Sequence, residues 1–592
     1  MPDGRNSLLG RFLKWRARHL PQRQFILILS IVVGFLTGLV AVVLKNTTHF
    51  IQSLVTSDYL TKYYNPFYFA FPIIGIFITV IVRKALRGRK VGEGVPNTLF
   101  AISRKSGILP ASQMFSHMIT SIFTVGFGGS VGLEGPSVGT GAAIGSNLGR
   151  LMHINYKSRI LLISCAAAGA IASIFNAPIA AIIFTIEIFS LDLTFGSLIP
   201  LLLASVSGAV TTIFIQGGDY LFHYKYIAPF RVAEVPFYAL LGVMTAFVSV
   251  YFNRLYFYVD NLFSRFANPW TKILIGGSLL GLLIFLIPPL YGEGYETINH
   301  LLNGNLDKVI ERSFLYEYHT SDYLVIALLI GLVLFKGFAT TFTLGAGGVG
   351  GVFAPSLFIG ASSGFVFARF INEFNWITLS SSNYALVGMA GLMAGVLHAP
   401  LTAIFMIAEI TGGYELFIPL MLVSAISFVV TRQIMPHSVY TMQLARKGDI
   451  LTHNKDQVIL TLLNIDAVLE TDFVKVNPEM SLGELVKVVS TSKRNLFPVV
   501  DEEEKLVGVL TLDDFRNIMF DQSLYNDTYV SELMNPPPAI IEKNETMNSV
   551  MQKFQSSGAW NLPVVRSGRY EGFVSKSKMF SVYRRKLLEF SE

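Results

Sequence analysis

Long apolar stretches separated by short polar turns are the strongest constraint on how this chain can fold. Of its 592 residues, 52% are hydrophobic and only 14% are charged, a balance far more apolar than soluble globular domains show. Membrane spans are separated by short polar turns in the same way. Clear examples are residues 25–44, 67–82, 239–251, 273–287 and 323–335. The chain is therefore predicted to be a multi-pass integral membrane protein in contact with lipid.

Several of these stretches are too short, or too interrupted by glycine, to cross a bilayer as one regular helix. Half-helices that meet inside the membrane explain this pattern, because irregular backbone is tolerated there only where it lines a cavity or a binding site. The sequence thus predicts an all-α membrane domain with discontinuous helices.

The first 24 residues are predicted to form a basic amphipathic helix. Its basic residues are Arg5, Arg11, Lys14, Arg16, Arg18 and Arg23. By the positive-inside rule, this end is cytoplasmic. No cleaved signal peptide is expected, since no small-residue cleavage site follows a short apolar core. The net charge of +7 is assigned to the membrane surface and not to nucleic acid, because the basic residues adjoin the spans.

The composition changes abruptly after about Gly448, where apolar runs shrink to strand length and charged residues become frequent. A soluble cytoplasmic α/β region begins there. It contains a repeat, since residues 495–500 and 508–511 are matched by residues 561–565 and 572–575. The predicted domains are the basic helix 1–24, a membrane domain 25–448, a linker 449–468, and two soluble units at 469–523 and 528–588.

The membrane domain also repeats internally. The segment Asn-Ala-Pro-Ile-Ala-Ala-Ile-Ile-Phe-Thr-Ile-Glu at 176–187 is similar to His-Ala-Pro-Leu-Thr-Ala-Ile-Phe-Met-Ile-Ala-Glu at 398–409. Pro178 and Pro400, like Glu187 and Glu409, are 222 positions apart (400 − 178, 409 − 187). Two halves built alike are therefore predicted. We expect both glutamates, late in their helices, to bond backbone in a structural role.

Three glycine-rich segments, each ending in a proline suited to a first helical turn, are candidate anion sites. They are residues 91–96, 128–136 and 347–355. A glycine-rich start of a helix exposes unpaired N–H groups and the positive end of the helix dipole, which attract an anion without a fixed cation. The alternative is close packing of helices through small residues. Three segments in one membrane domain favour anion binding at Glu93, Gly94, Val95, Gly132 and Gly135.

Glu134 is the single most informative residue. A carboxylate flanked by glycine inside an apolar region is costly, and so indicates function. Residues 126–147 contain no lysine or arginine that could neutralise it. A gating or proton-accepting role is predicted, with a salt-bridged structural carboxylate as the alternative.

The segment Gly-Gly-Ser-Val-Gly-Leu-Glu-Gly-Pro at 128–136 resembles the gating-glutamate motif of the CLC chloride channels and proton-coupled exchangers. Gly-Val-Phe-Ala-Pro at 351–355 resembles their second pore motif, and Phe-Asn-Ala-Pro at 175–178 and Glu-Ile-Thr-Gly at 409–412 resemble further signatures. The resemblance covers nearly the whole chain. It implies the CLC fold, a homodimer with one pore per subunit, and two inverted halves in each subunit.

The resemblance also implies roles for individual residues. Glu134 is expected to be the external gate, whose carboxylate occupies an anion site until protonation or an anion displaces it. The N–H groups of Val352 and Phe353 are expected to hold the central anion. Tyr440 resembles the pore tyrosine, whose hydroxyl donates to the anion without a charge that would trap it. The alternative for Tyr440 is a tyrosine at the membrane interface.

Two positions depart from the family pattern. Glu93 stands where chloride-selective relatives have serine and some nitrate-selective ones have proline, so an ionised carboxylate there would repel the anion. Ile188 stands where proton-coupled members typically carry a second, intracellular glutamate, which favours uncoupled conduction. One hypothesis joins both: a protonated Glu93 donates to the anion as serine does and relays protons in place of the missing carboxylate.

The soluble tail resembles a tandem pair of CBS domains, which often bind adenine nucleotides in the cleft between them. Thr511 and Asp514 match the pattern in which the aspartate holds ribose hydroxyls. In the second unit, Lys578 stands where aspartate is expected. At most one complete ribose site is therefore expected, and the alternative is a pair that only stabilises the dimer. No other cofactor and no metal is required.

The function predicted is transport of chloride or a similar small anion through a glutamate-gated pore of the plasma membrane, channel-like and regulated by the CBS pair. Both termini are expected in the cytoplasm. A proton-coupled chloride antiporter is the alternative, and a CBS-bearing divalent-cation transporter is a further one that would need converging acidic residues. An enzyme is not expected, because the sequence shows no phosphate-binding loop, zinc spacing or nucleophile–base pair.

Overall fold

The structure is a computed structural model that describes residues 8–56, 67–85, 94–189, 195–218, 221–222, 228–310, 322–446 and 463–591. The chain forms two compact units, Met1–Leu451 and Thr452–Glu592. Glu93 lies outside the described residues.

In the described residues of the first unit, every regular secondary-structure element is a helix. Its helices are α1 (Leu8–His19), α2 (Gln22–Val55), α3 (Phe67–Ala85), α4 (Gly94–Arg104), α5 (Gln113–Gly126), α6 (Glu134–Leu151), α7 (Tyr156–Phe175), α8 (Pro178–Phe189), α9 (Phe195–Gln216), α10 (Val235–Ser264), α11 (Pro269–Leu286), α12 (Tyr295–Leu302), α13 (Leu306–Ile310), α14 (Asp322–Gly345), α15 (Phe353–Asn372), α16 (Ser381–Leu397), α17 (Pro400–Ile410), α18 (Phe417–Ile434) and α19 (Val439–Arg446).

The helices of the first unit place their apolar side chains both inside and outside. Among the described residues, eight helical segments are long and apolar enough to cross a membrane. Large apolar side chains such as Phe214 and Leu274 are exposed on the outer surface, at 89% and 65%. A soluble protein would bury such groups, whereas lipid solvates them. Central α16 is instead buried along nearly its whole length, so it lies inside the bundle.

The shorter helices of the first unit do not span the membrane alone. Helices α4, α8 and α17 have 11 or 12 residues each, which corresponds to roughly 17 Å at 1.5 Å per residue. This length is about half of the hydrocarbon core of a bilayer. The prediction of discontinuous helices is confirmed, and the start of α4 is buried inside the bundle.

The second unit contains two hairpins that correspond to the repeat in its sequence. Its elements are α20 (Ile465–Val468), β1 (Leu469–Glu470), α21 (Leu482–Thr491), β2 (Leu496–Val500), β3 (Leu506–Thr511), α22 (Leu512–Phe515), α23 (Val530–Leu533), β4 (Ile541–Glu542), α24 (Met547–Ser557), β5 (Asn561–Arg566), β6 (Arg569–Ser575) and α25 (Lys576–Ser591). Strands β2 and β3 pair antiparallel, and so do β5 and β6. The larger sheet has the order β1-β6-β5-β4. The predicted α/β character of the tail is confirmed.

The two copies of the membrane repeat share one backbone conformation. Helix α7 ends at Asn176, which is left-handed with φ of 53°, and α8 begins two residues later at a proline. In the second copy, α16 ends at His398 with φ of 56°, and Pro400 begins α17. A left-handed residue stops each helix, and a proline at the first helical position starts the next one. The sequence repeat is therefore a structural repeat.

Glu187 and Glu409 each bond the start of a helix in the other half. The Glu187 carboxylate accepts hydrogen bonds from the Leu401 and Thr402 amides at 3.0 and 2.8 Å, at the start of α17. The Glu409 carboxylate accepts from the Ile179 and Ala180 amides at 3.0 and 2.7 Å, at the start of α8. The first amides of a helix have no partner within it, and a carboxylate satisfies them while complementing the helix dipole. The two glutamates therefore link the two halves reciprocally.

We predict that Glu187→Gln or Glu409→Gln destabilises the protein by about 1–3 kcal/mol each, the cost of an unsatisfied group at a charged hydrogen bond. The glutamine amide group would face a backbone N–H and could accept only one of the two bonds. The measurement is thermal unfolding of the purified protein in detergent. Glu415→Gln, at an exposed carboxylate just after α17, is the matched control and should leave the unfolding temperature unchanged. An equal response of all three variants would contradict the linking role.

Candidate functional site

Three helix starts converge in the middle of the first unit, those of α4, α6 and α15. A Cβ atom added to Gly94 would lie 1.9 Å from the Gly135 carbonyl oxygen, so the starts of α4 and α6 touch. A Cβ atom on Gly135 would lie 3.0 Å from the Gly351 Cα atom, just before α15. Only glycine allows this approach. The positive ends of three helix dipoles therefore point at one region, which favours an anion.

Two of these starts are joined by a short antiparallel pairing of equivalent glycines. The Gly132 amide donates to the Gly351 carbonyl oxygen at 2.9 Å, and the Gly351 amide donates to the Gly132 carbonyl oxygen at 2.8 Å. These residues occupy corresponding positions in the two halves. Reciprocal pairing of equivalent residues places a local twofold axis between the halves, at the centre of the convergence.

Glu134 is the first residue of α6, and its side chain points into this centre. Its Oε1 atom accepts a hydrogen bond from the Phe353 amide at 2.7 Å, and the residue is only 3% exposed. The Oε2 atom has no hydrogen-bond partner among the described residues. The carboxylate thus occupies the position at the start of α15 where an anion would accept the same N–H group.

The glycine at position 132 makes room for that carboxylate. A Cβ atom added to Gly132 would lie 1.9 Å from Glu134 Oε2 and 2.7 Å from Oε1. All of its nearest atoms belong to the Glu134 carboxyl group. The space that holds the carboxylate exists because this residue has no side chain.

The other predicted residues have different positions. Val352 is the residue that precedes α15, and the Phe353 ring packs against the Phe175 ring with centroids 4.9 Å apart. Val95 is buried in the first turn of α4. Tyr440, 5% exposed, belongs to α19, which packs against α4 and α16. The structure therefore brings the predicted glycines, Glu134 and Phe353 together and places the helix of Tyr440 beside them.

Two charged residues close to this centre are absent from the sequence prediction. The Glu293 carboxylate accepts a hydrogen bond from the Leu133 amide at 3.1 Å, immediately before Glu134. The Lys336 ammonium is fully buried and donates to the Gly292 carbonyl oxygen at 2.9 Å. The sequence does contain a signal for Glu293. Gly292 and Gly294 flank it on both sides, and Glu134 is likewise followed directly by Gly135.

A third polar residue that sequence reasoning missed is His117, on α5. It is completely buried, and neither ring nitrogen has a hydrogen-bond partner among the described residues. A Cβ atom on Gly139 would lie 3.1 Å from its ring. His117 therefore lies beside the contact of α4 and α6, and its burial follows from tertiary packing alone.

Ile188, in the last turn of α8, is buried with 7% exposure. Its neighbour Glu187 is committed to the amides of α17. Among the described residues of α8, the sole carboxylate is therefore the one bonded to α17.

Two families match the sequence of this chain. The family described as "Voltage gated chloride channel" matches residues 74–432, and the CBS domain matches twice, at residues 465–521 and 530–585.

Two curated relatives and one solved structure are also similar to this chain. A ClcB-like protein of Ralstonia nicotianae is 32% identical over 366 residues, which are 60% of this chain and 80% of the relative. The H(+)/Cl(-) exchange transporter ClcA of Vibrio cholerae is 27% identical over 437 residues, 71% of this chain and 89% of the relative. The crystal structure of a eukaryotic CLC transporter superposes with a TM-score of 0.62 at 18% identity, covering 97% of this chain and 99% of that chain.

We predict that Gly132→Ala forces the Glu134 carboxylate off the Phe353 amide, because the added methyl group takes its place. Anion flux through the reconstituted protein should rise and lose part of its dependence on pH. In the Glu134→Ala background, Gly132→Ala should have no further effect, since no carboxylate remains to be displaced. Gly218→Ala is the control, because its Cβ atom would meet nothing closer than 3.7 Å. Wild-type flux in Gly132→Ala would contradict the packing described.

Proposed function

Because the chain belongs to the CLC family of voltage-gated chloride channels, we propose that it carries chloride or a similar small anion through a pore whose gate is Glu134. Proteins of this family are anion channels and transporters, and not enzymes. The observation that supports the gate is the hydrogen bond between the Glu134 carboxylate and the Phe353 amide. A carboxylate at an anion-binding amide excludes the anion for as long as it stays there.

Competition for one amide explains how such a gate opens. A hydrogen bond to a charged group contributes about 1.5–3 kcal/mol, so the ionised carboxylate and a permeating anion hold the Phe353 amide with similar strength. Protonation of Glu134 removes its charge and weakens its hold, and a high anion concentration displaces it by mass action. Val352 and Phe353 then hold the anion through their N–H groups. Gly94, Val95, Gly132 and Gly135 line the helix starts around it.

The chemistry of the inner half of the pore favours passive, channel-like conduction. Ile188 cannot carry a proton, and Glu187 is held by two backbone amides of α17. Within the described residues of α8, Glu187 is therefore the sole carboxylate, and its bonds to α17 leave no free inner carboxylate there to load Glu134 from the cytoplasm.

Proton-coupled exchange is the second candidate, because the relative from Vibrio cholerae is named an H(+)/Cl(-) exchange transporter. In this case Glu93 would carry the proton in place of the missing inner carboxylate. A protonated Glu93 would also donate to the anion, as a serine hydroxyl does. Its charge state would then bear on anion selectivity as well as on coupling.

The remaining parts of the proposal concern the setting of the pore. We place the protein in the plasma membrane with both termini in the cytoplasm, since the basic helix α1 precedes the first span. A homodimer with one pore per subunit is proposed from membership in the family. The Tyr440 hydroxyl is proposed to donate to the anion on the cytoplasmic side.

Regulation is assigned to the CBS pair, with an adenine nucleotide as the ligand. The Asp514 carboxylate already accepts bonds from the Thr511 amide and hydroxyl, both at 2.6 Å, and from the Asn535 side-chain amide at 3.0 Å. A ribose hydroxyl that binds Asp514 would therefore bond Oδ1 beside the Asn535 amide, because Oδ2 already accepts two hydrogen bonds. Thr511 orients the carboxylate, and only one such site is expected in the pair.

The transport proposal is tested in liposomes loaded with chloride, with efflux and external pH recorded together, with and without a protonophore. We predict efflux without uphill proton movement in the wild type. Glu134→Gln, which is neutral at every pH, should raise efflux and remove most of its pH dependence.

Other outcomes of this experiment separate the alternatives. Uphill proton movement driven by chloride would establish exchange, and Glu93→Ser should then abolish proton movement while leaving anion flux. Survival of coupling in Glu93→Ser would exclude the relay through Glu93. A Glu134→Gln variant that behaves like the wild type would contradict the gate.

The regulatory proposal is tested by thermal unfolding of the full-length protein with ATP or AMP. We predict stabilisation by nucleotide, of about 2.7 kcal/mol at a concentration 100 times the Kd. Asp514→Asn should abolish the shift, whereas Asp513→Asn, at the adjacent exposed carboxylate paired with Arg516, should not. Absence of any shift in the wild type would leave the CBS pair as a dimer-stabilising element only.

A further inference from the structure

A cavity of about 300 Å³ opens directly above the start of α6, and we call it the vestibule. Its lining includes Lys45 and His49 of α2, Leu133, Glu293 and Tyr295. Lys45 lies 23 residues after the start of α2, or about 35 Å along the helix axis. With the N-terminus in the cytoplasm, the vestibule therefore faces the outside of the cell.

The floor of the vestibule holds a second carboxylate bonded to the backbone of the pore. Glu293 Oε1 accepts a hydrogen bond from the Leu133 amide at 3.1 Å, one residue before the gating glutamate. The two carboxylates thus occupy two N–H groups, Leu133 and Phe353, at the starts of α6 and α15. Each stands at a position where an anion would be the alternative acceptor.

The loop that carries Glu293 is fixed to the pore. Gly292 and Gly294 flank the glutamate with φ of 59° and 89°, left-handed values that favour glycine. The Ser130 hydroxyl donates to the Leu290 carbonyl oxygen at 2.7 Å, and the Tyr291 hydroxyl donates to the Gly126 carbonyl oxygen at 3.0 Å. The glutamate is therefore held against Leu133 by the fold and not by a mobile surface loop.

The charges around Glu293 suit an anion in its place. Lys336 is 0% exposed, donates to the carbonyl oxygens of Leu290 and Gly292, and lies 4.7 Å from the centroid of the Phe358 ring. Lys45 lines the same cavity as Glu293, and its positive charge attracts the Glu293 carboxylate. If the Glu293 carboxylate moves away, a buried cation and an amide are left without a negative partner, which is costly.

A further donor in the vestibule has no partner. The Tyr295 hydroxyl is buried and forms no hydrogen bond among the described residues, and it lies within electrostatic range of both Glu293 and Glu134. A phenol can donate to an anion without adding a charge. It is the kind of group that a bound anion between the two carboxylate positions would use.

We propose that Glu293 is a second, outer gate, and that the Leu133 amide, Lys336 and Tyr295 form an external anion site which the Glu293 carboxylate occupies when no anion is bound. This inference rests on the proposed anion transport. An anion that enters from outside displaces Glu293 into the vestibule first and Glu134 second.

The outer gate opens when Glu293 is protonated, because the neutral group holds the Leu133 amide less strongly. The anion flux that passes the outer gate is therefore largest at acidic external pH and falls as the pH rises. Among the described residues, the charged and titratable groups that surround Glu293 are Lys45 and His49 on α2, Glu134 on α6, Tyr295, Glu296 and His300 on α12, and Lys336 on α14. The His300 Nε2 and Glu296 Oε1 atoms are 3.8 Å apart, and the Glu296 side chain is 88% exposed.

The test measures chloride efflux against external pH for the wild type, Glu134→Gln, Glu293→Gln and the double variant. We expect Glu293→Gln to raise efflux at alkaline external pH about tenfold, since one charged hydrogen bond is worth at least that factor. Glu134→Gln should retain a residual pH dependence that only the double variant loses. Titration with bromide by calorimetry should show one more anion per subunit in Glu293→Gln than in the wild type.

Glu296→Gln is the matched control, because it lines the same cavity without bonding the pore and should behave as the wild type. Glu293→Asp keeps the charge but is one methylene too short to reach the Leu133 amide, so it should raise efflux as well. It provides the same test if Glu293→Gln does not fold. If both Glu293 variants match Glu296→Gln in efflux and bromide stoichiometry, the outer gate is wrong. Such a result leaves the gate at Glu134 intact, whereas an unchanged Glu134→Gln would overturn the proposed function itself.

Discussion

The first amides of α6 and α15 have no partner within their own helices, and they lie where neither water nor lipid can satisfy them freely. Buried N–H groups must find an acceptor. In this chain the acceptor at Phe353 is the Glu134 carboxylate, at 2.7 Å. The arrangement of the surrounding bundle follows from this need. Glycines at 132 and 351 bring two helix starts together and leave room for the carboxylate, and their mutual hydrogen bonds hold the two halves in register.

The same physical solution appears at a second place with a different outcome. Glu187 and Glu409 also satisfy the first amides of helices, but each accepts hydrogen bonds from two amides of the opposite half. Two bonds fix a carboxylate, whereas one bond with the other oxygen unpartnered leaves it replaceable. Helix-start carboxylates in this protein therefore divide into those that bond two amides of the opposite half and one, Glu134, that accepts a single amide and is proposed to give way to an anion. Glu293, with its single bond to Leu133, resembles the second kind.

Charge placement in the membrane unit is consistent with an anion as cargo. The buried Lys336 donates to carbonyl oxygens near the pore, and the helix starts supply partial positive charge without side chains that would hold an anion permanently. A pore of this kind needs negative groups that compete with the anion only weakly. The soluble tail is built on separate hydrophobic clusters of its own.

The sequence by itself determined the membrane class, the two halves and the CBS repeat, and it singled out Glu134 as the proposed gate. Apolar length, the 222-residue repeat and a carboxylate beside glycines are local properties, and they can be recognised without coordinates. Only the tertiary structure decided which helix start each glutamate meets, because those partners lie more than 200 positions away in the chain. It also brought Glu293 and Tyr295 to the lining of the vestibule and the buried Lys336 to the carbonyl oxygen of Gly292 beside them. Their proximity depends on how α12 and α14 pack against α15 and on the bond between Glu293 and the Leu133 amide, and no spacing along the sequence encodes these contacts.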